Sequence, residues 1–98
     1  MIGVADGGEE PGPALRVSPN PASQRVGLEW AAGGIGRIEV TVFDLAGRRI
    51  RRLASESGDA LVWDLADGQG RRVPRGIYFL RARRGEGEVR ASAKILVR

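Results

Sequence analysis

Leu61-Val62-Trp63-Asp64-Leu65-Ala66-Asp67-Gly68-Gln69-Gly70-Arg71-Arg72-Val73-Pro74-Arg75-Gly76-Ile77-Tyr78-Phe79-Leu80 is the stretch that organises the chain. A short apolar strand ends in tryptophan and enters a turn built from Asp67, Gly68 and Gly70. An aromatic-rich strand leaves after Pro74 and Gly76. Glycine reaches positive φ at little steric cost, and aspartate bonds the backbone just ahead of it, so the centre reads as a reversal between strands. The chain has two Trp, one Tyr and two Phe. A hairpin or arch carrying Trp63, Tyr78 and Phe79 therefore supplies much of the aromatic mass of a small core.

Outward from this stretch, hydrophobic alternation with period two recurs in both directions. Leu15-Arg16-Val17-Ser18 is a brief strand stopped by Pro19-Asn20-Pro21, whose two prolines remove backbone donors. Arg25 to Trp30 puts Val26, Leu28 and Trp30 on one face. Arg37 to Asp44 does the same with Ile38, Val40 and Val42. A glycine-rich turn at Ala31–Gly34 joins the two, and the expectation is an antiparallel pair. Asp44-Leu45-Ala46-Gly47-Arg48 is a compact reversal with Gly47 at positive φ. The strand after it contributes Ile50 and Leu53, and its arginines suit a sheet edge, where charge blocks association. Leu61 and Trp63 share one face of the next strand. Tyr78 and Leu80 point inward from the following one, leaving Phe79 half-exposed or under a loop. Gly85-Glu86-Gly87-Glu88 turns into a last strand with Val89, Ala91, Ala93, Ile95 and Val97 inward. Leu96 falls on the polar face with Lys94 and Arg98, against its phase. Seven short strands and no helical period predict an all-β, seven-stranded antiparallel sandwich of immunoglobulin-like type.

Ninety-eight residues make one domain, and a chain of this size buries enough surface, roughly 65%, to stand without crosslinks. Cysteine is absent, so neither disulfides nor thiol chemistry are available. Histidine is also absent, which removes the commonest general base and metal ligand together. The net charge is +4, and every base but Lys94 is arginine. Residues 1–14 hold Asp6, Glu9 and Glu10 without a base and carry −3, leaving +7 on residues 15–98. That lead-in lacks hydrophobic periodicity and reads as a flexible linker. No apolar run approaches the ~20 residues that cross a bilayer. Met1-Ile2-Gly3-Val4-Ala5 is too short for a signal-peptide core, so an export signal for such a domain is expected upstream in a longer chain or elsewhere in the domain.

Several separated pieces resemble one known group. Ser18-Pro19-Asn20-Pro21-Ala22 resembles the segment that opens the C-terminal sorting domains of type IX secretion cargo. Val40-Thr41-Val42-Phe43-Asp44-Leu45-Ala46-Gly47-Arg48 resembles their strand and turn. Gly76-Ile77-Tyr78-Phe79 and Lys94-Ile95-Leu96-Val97-Arg98 resemble their later strands. The stretch from Trp63 through Gly70 to Tyr78 is also similar to the immunoglobulin-like domain of flagellar hook-capping proteins, except that Leu65-Ala66 follows Asp64 where that pattern has glycine. Together the likeness spans residues 15–98. The resemblance implies a non-catalytic, cofactor-free, monomeric module that directs a larger secreted bacterial protein through the periplasm and outer membrane to the cell surface. Its implied partners are the secretion machinery, the upstream cargo domain of the same chain, and lipopolysaccharide after cleavage near the linker. The alternatives are a hook-cap-like assembly domain binding other subunits, or a spacer or adhesive module of a secreted hydrolase. In the sorting reading the last strand is recognised by strand addition or backbone contacts, with Lys94, Leu96 and Arg98 as recognition residues. Pro19, Asn20, Pro21, Asp44, Gly47, Arg48, Trp63, Gly70, Gly76 and Tyr78 then serve to shape the fold.

Simpler readings stand beside these. Asp44, Asp64 and Asp67 lack the alternating ligands and distal glutamate of a calcium loop, and Asx turns account for them. Gly33-Gly34-Ile35-Gly36 has no Lys-Ser/Thr or helix after it and is a turn, not a phosphate loop. Ser92 and Lys94 share a strand face, but nothing in the sequence lowers the lysine pKa for nucleophilic work. The clusters Arg48–Arg52, Arg71–Arg75 and Arg81–Arg84 could meet nucleic-acid phosphates. Nucleic acid is disfavoured because single-strand binders also need exposed aromatic platforms, and most aromatics here fall in core phases.

Overall fold

The computed structural model of the protein describes residues 15–31, 36–56, 59–85 and 89–98, and among these there are seven strands and no helix. In chain order they are β1 (Leu15–Ser18), β2 (Val26–Trp30), β3 (Ile38–Phe43), β4 (Arg49–Ser55), β5 (Ala60–Trp63), β6 (Gly76–Arg84) and β7 (Val89–Val97). They form a three-stranded sheet ordered β1-β2-β5 and a four-stranded sheet ordered β4-β3-β6-β7. Every pairing within the two sheets is antiparallel. The chain changes sheet between β2 and β3, returns between β4 and β5, and crosses again between β5 and β6, which is an immunoglobulin-like order. The linker reading of residues 1–14 and the turns at 32–35 and 86–88 fall outside the described residues.

The alternation seen in the sequence decides what is buried. Val26, Leu28 and Trp30 of β2 face Ile38, Val40 and Val42 of β3 and Tyr78, Leu80 and Ala82 of β6 in one continuous core. Trp63 is the largest of its fully buried side chains. Ile95 and Val97 of β7 are also fully buried, while Lys94 and Leu96 point away. No polar or charged side chain is buried among the described residues, so the core is held by apolar contact without ionic specificity inside it.

One expectation is corrected. The segments Arg25–Trp30 and Arg37–Asp44 are not a hairpin pair. β2 pairs with β1 and β5, whereas β3 pairs with β4 and β6. Period two reports that one face of a strand is buried, and burial against a facing sheet leaves the same trace as burial beside a neighbour. The seven-residue connection between Trp30 and Ile38 exceeds the two to five residues common in hairpins. That length is what a change of sheet needs.

The organising stretch is an arch rather than a hairpin, because β5 and β6 lie in different sheets. Its loop is tied back to β4. Gly68 N donates to Ile50 O at 3.1 Å. Arg51 Nη1 donates to Asp64 Oδ1 at 3.0 Å and to Ala66 O at 2.9 Å. Arg51 therefore fastens the edge of one sheet to the loop leaving the other. β4 is indeed an edge strand of the larger sheet.

Candidate recognition surface

Two turns share one design. In Asp44-Leu45-Ala46-Gly47-Arg48, Asp44 N donates to Arg48 O at 2.9 Å and Gly47 N donates to Asp44 O at 2.9 Å. Asp44 Oδ1 accepts from Ala46 N at 3.0 Å and from Arg48 N at 2.9 Å. In Asp67-Gly68-Gln69-Gly70-Arg71 the same bonds recur: Asp67 N to Arg71 O at 2.8 Å, Gly70 N to Asp67 O at 3.0 Å, and Oδ1 accepting from Gln69 N at 2.8 Å and Arg71 N at 3.0 Å. Gly47 and Gly70 both sit at φ 87°, where a Cβ would strain the backbone. Each motif is thus an Asx-capped turn. Backbone N–H bonds from Arg48 and Arg71, more than any charge, hold the two carboxyls below the usual carboxylate range. Asp64 also caps a turn, its Oδ1 accepting from Ala66 N at 3.2 Å.

The corner between β5 and β6 is built on Trp63 and Tyr78. Their rings meet edge to face at 5.8 Å, a favourable geometry for two quadrupoles. Trp63 Nε1 donates to Ala66 O at 2.9 Å, and Tyr78 OH donates to Pro74 O at 2.6 Å. The latter is a tyrosine corner, in which a hydroxyl at the start of a strand bonds the backbone a few residues upstream. Burial raises the Tyr78 pKa, with Asp44 adding to it. Leu65 adopts φ 60°, the conformation glycine would take at the place where the hook-cap pattern has one. Its side chain is fully buried. Burying a leucine is worth ~1.5–3 kcal/mol, enough to offset the roughly 1–2 kcal/mol that the left-handed conformation costs a residue with a Cβ.

Pro19, Asn20 and Pro21 form a clip on β7. Both X-Pro bonds, Ser18–Pro19 and Asn20–Pro21, are cis. The Asn20 side chain acts as one rung of a strand, with Nδ2 donating to Lys94 O at 3.2 Å and Oδ1 accepting from Leu96 N at 3.0 Å. Ala22 continues the ladder: its N donates to Leu96 O and its O accepts from Arg98 N, each at 2.8 Å. Arg72 Nη2 donates to Arg98 O at 3.2 Å. The backbone edge from Lys94 to Arg98 is therefore engaged, and a partner strand adding there has to displace Asn20 and Ala22. The side chains of Lys94, Leu96 and Arg98 are exposed.

Leu96 is not alone in its wrong phase. The register sets Ile77 beside Leu96, Phe79 beside Lys94, and Phe43 beside Phe79. Leu96, Ile77 and Phe79 are 42%, 38% and 37% exposed, and Phe43 is half-buried. An apolar strip thus crosses three strands on the outer face of the larger sheet. The sequence pattern places Leu96 and Phe79 on outward phases. It misses the strip, because only pairing register shows which outward residues are neighbours. Arg81 lies over the Phe43 ring at 5.5 Å. At the other end of the same face Glu39 takes a forked bond from Arg83, at 3.2 and 3.1 Å. Arg37 and Arg52 stand within ion-pair range of it. The Arg83 bond lowers the Glu39 pKa, against a smaller opposing effect of burial.

A sandwich of this order has counterparts among known proteins. Residues 16–98 match the family described as secretion system C-terminal sorting domain. The chain belongs to that family, whose members direct a larger secreted protein across the outer membrane to the cell surface or beyond. Among solved structures it is similar to dimeric latent PorU from Porphyromonas gingivalis, with TM-score 0.72 and 19% identity over 98% of this chain. It is also similar to PorZ of the same bacterium, described as a surface component of the type-IX secretion system, with TM-score 0.66 and 21% identity over 86% of this chain. The match covers 10% of the PorU chain and 11% of the PorZ chain, so the chain spans about a tenth of each. No curated protein matches it in sequence. The hook-capping resemblance finds no support in these comparisons.

Proposed function

We propose that the chain is a non-catalytic sorting and anchoring module, read by protein components of a type IX secretion machinery through the side chains at the end of β7. The observation that carries this reading is the division of labour along Lys94–Arg98. Asn20 and Ala22 engage the backbone there, while Lys94, Leu96 and Arg98 stand outward. The absence of His and Cys and the use of Asp44, Asp64 and Asp67 as turn caps support a role without catalysis. The module works as a monomer, cleavage falls within or near residues 1–14, and lipopolysaccharide attachment follows on the released cargo.

The test is a secreted reporter with this chain fused behind it, expressed in a host carrying type IX machinery. Wild-type fusion reaches the surface or medium, and removal of the domain retains the reporter in the periplasm. Leu96→Ser lowers export while the domain keeps its thermal transition. Equal export with and without the domain overturns the reading.

A further inference from the structure

The outer face of the four-stranded sheet combines two properties that a merely solvated surface lacks. Its apolar strip, Phe43-Phe79-Ile77-Leu96, lies on paired strands and is fixed in shape. Its flanks are cationic: Lys94 beside Phe79, Arg81 next along β6, and Arg49 beside Phe43. Among the described residues none of these three has a carboxylate in ion-pair range. The acid of this face, Glu39, is engaged at the far end. A partner that covers the strip must therefore bring apolar side chains to its centre and negative charge to its rim, which is the arrangement of a protein interface with complementary potential.

The strip itself separates a polypeptide from a polyanion. Successive bases stack on successive aromatic faces, but the Phe43 ring already has Arg81 over it, which leaves Phe79 as the one open ring of the strip. Ile77 and Leu96 offer no π-face at all, whereas aliphatic side chains pack well on them.

We propose that this face docks an acidic protein segment, with apolar side chains seated on Phe79, Ile77 and Leu96 and carboxylates meeting Arg81 and Lys94. The proposal rests on the sorting reading above and names the chemistry of its partner. Docking is by side chains on the sheet face, so it leaves the Asn20 clip in place.

Two measurements test it separately. In solution, a fluorescent peptide alternating Glu and Leu is titrated against the whole chain, beside a Lys/Leu peptide, an oligo-dT strand and lipopolysaccharide vesicles. The Glu/Leu peptide binds saturably. Phe79→Ser and the charge reversal Arg81→Glu/Lys94→Glu each weaken it at least tenfold, and Val62→Ser on the opposite sheet leaves it unchanged. Preferential binding of oligo-dT or vesicles overturns the proposal, as does a Val62→Ser effect equal to that of Phe79→Ser. In the reporter assay, the same face variants reduce export while Val62→Ser does not. Unimpaired export by folded face variants overturns docking here, whereas a wild-type fusion that is not exported overturns the sorting reading and leaves peptide binding to decide the face. The charge reversal tests the face independently should Phe79→Ser lose its thermal transition.

Discussion

On the outside of the three-stranded sheet stand Arg16, Glu29, Gly27, Ala60 and Val62; on the outside of the four-stranded sheet stand Phe43, Phe79, Ile77 and Leu96 among arginines and Lys94. Both faces come from the same alternation over the same core. On the first, Arg16 and Glu29 lie 3.9 Å apart and both are well exposed, a pair of small energetic worth. Val62 is 58% exposed and pairs with Gly27, and only the methyl of Ala60 lies beside it along β5, so no large apolar neighbour extends it. On the second, apolar residues are adjacent in register, and among the described residues the charge beside them that lacks a carboxylate partner is positive. Isolated surface hydrophobes need no explanation, but contiguous ones ringed by charge mark interaction sites. The difference lies in which outward residues are neighbours, and it separates a scattered polar face from one with a contiguous apolar strip.

The largest perturbation removes the ground common to both faces. Trp63→Ala empties a fully buried site and deletes the contacts to Tyr78 and Ala66, with an expected loss of ~3–5 kcal/mol in chemical denaturation. Both faces should then fail together. A loss below ~1 kcal/mol would contradict the arch as the centre of the core. Tyr78→Phe is milder, about 1 kcal/mol, because it leaves the ring packed and only unpairs Pro74 O.

Asn20→Ala sharpens the contrast by acting on one sheet. It opens two exposed bonds to β7, worth about 1 kcal/mol together. Amide exchange at Leu96 should accelerate while that of Val62 in β5 stays unchanged. Equal acceleration at both would mean that the clip steadies the whole sandwich rather than its last strand.

Acid separates the turns from the faces. Asp44, Asp67 and Glu39 have folded pKa values below their ordinary ones. The stability they lend is present above the unfolded carboxylate values, about 4, and is lost as pH falls through the lower folded values. Melting temperature should hold from pH 7 to about 5 and drop below about 4. Asp67→Ala should flatten that drop. The smallest effect is on stability at the surface: Phe79→Ser and Val62→Ser should each change it by less than ~0.5–1 kcal/mol, while their effects on export diverge.

Most of the fold was legible because each strand advertises one buried face. Val26, Leu28, Trp30, Ile38, Val40 and Val42 all lie where their phase put them. Which strands pair was not legible, since β2 and β3 show the same period whether they are neighbours or opposite numbers. The turns could be read from Asp and Gly spacing, down to the positive φ at Gly47. Leu65 could not, because a left-handed leucine is chosen by the burial of its side chain and not by local preference. For the site, Leu96 was visible by its phase alone. Ile77 and Phe79 became its companions only through the register of β6 on β7, a long-range fact that no local window contains. The link between Asn20 and Leu96 is of the same kind, spanning 76 positions.

That link has a temporal consequence. Residues near the beginning of the domain hold those near its end, so β7 cannot be latched until the full length of the domain is in hand. Contacts so distant in sequence form late relative to local ones. Leu96 and Lys94 ride on the strand being latched, and so the surface they share with Phe79 and Ile77 is steadied last. A partner docking as proposed above would therefore meet a steadied surface only on a whole domain.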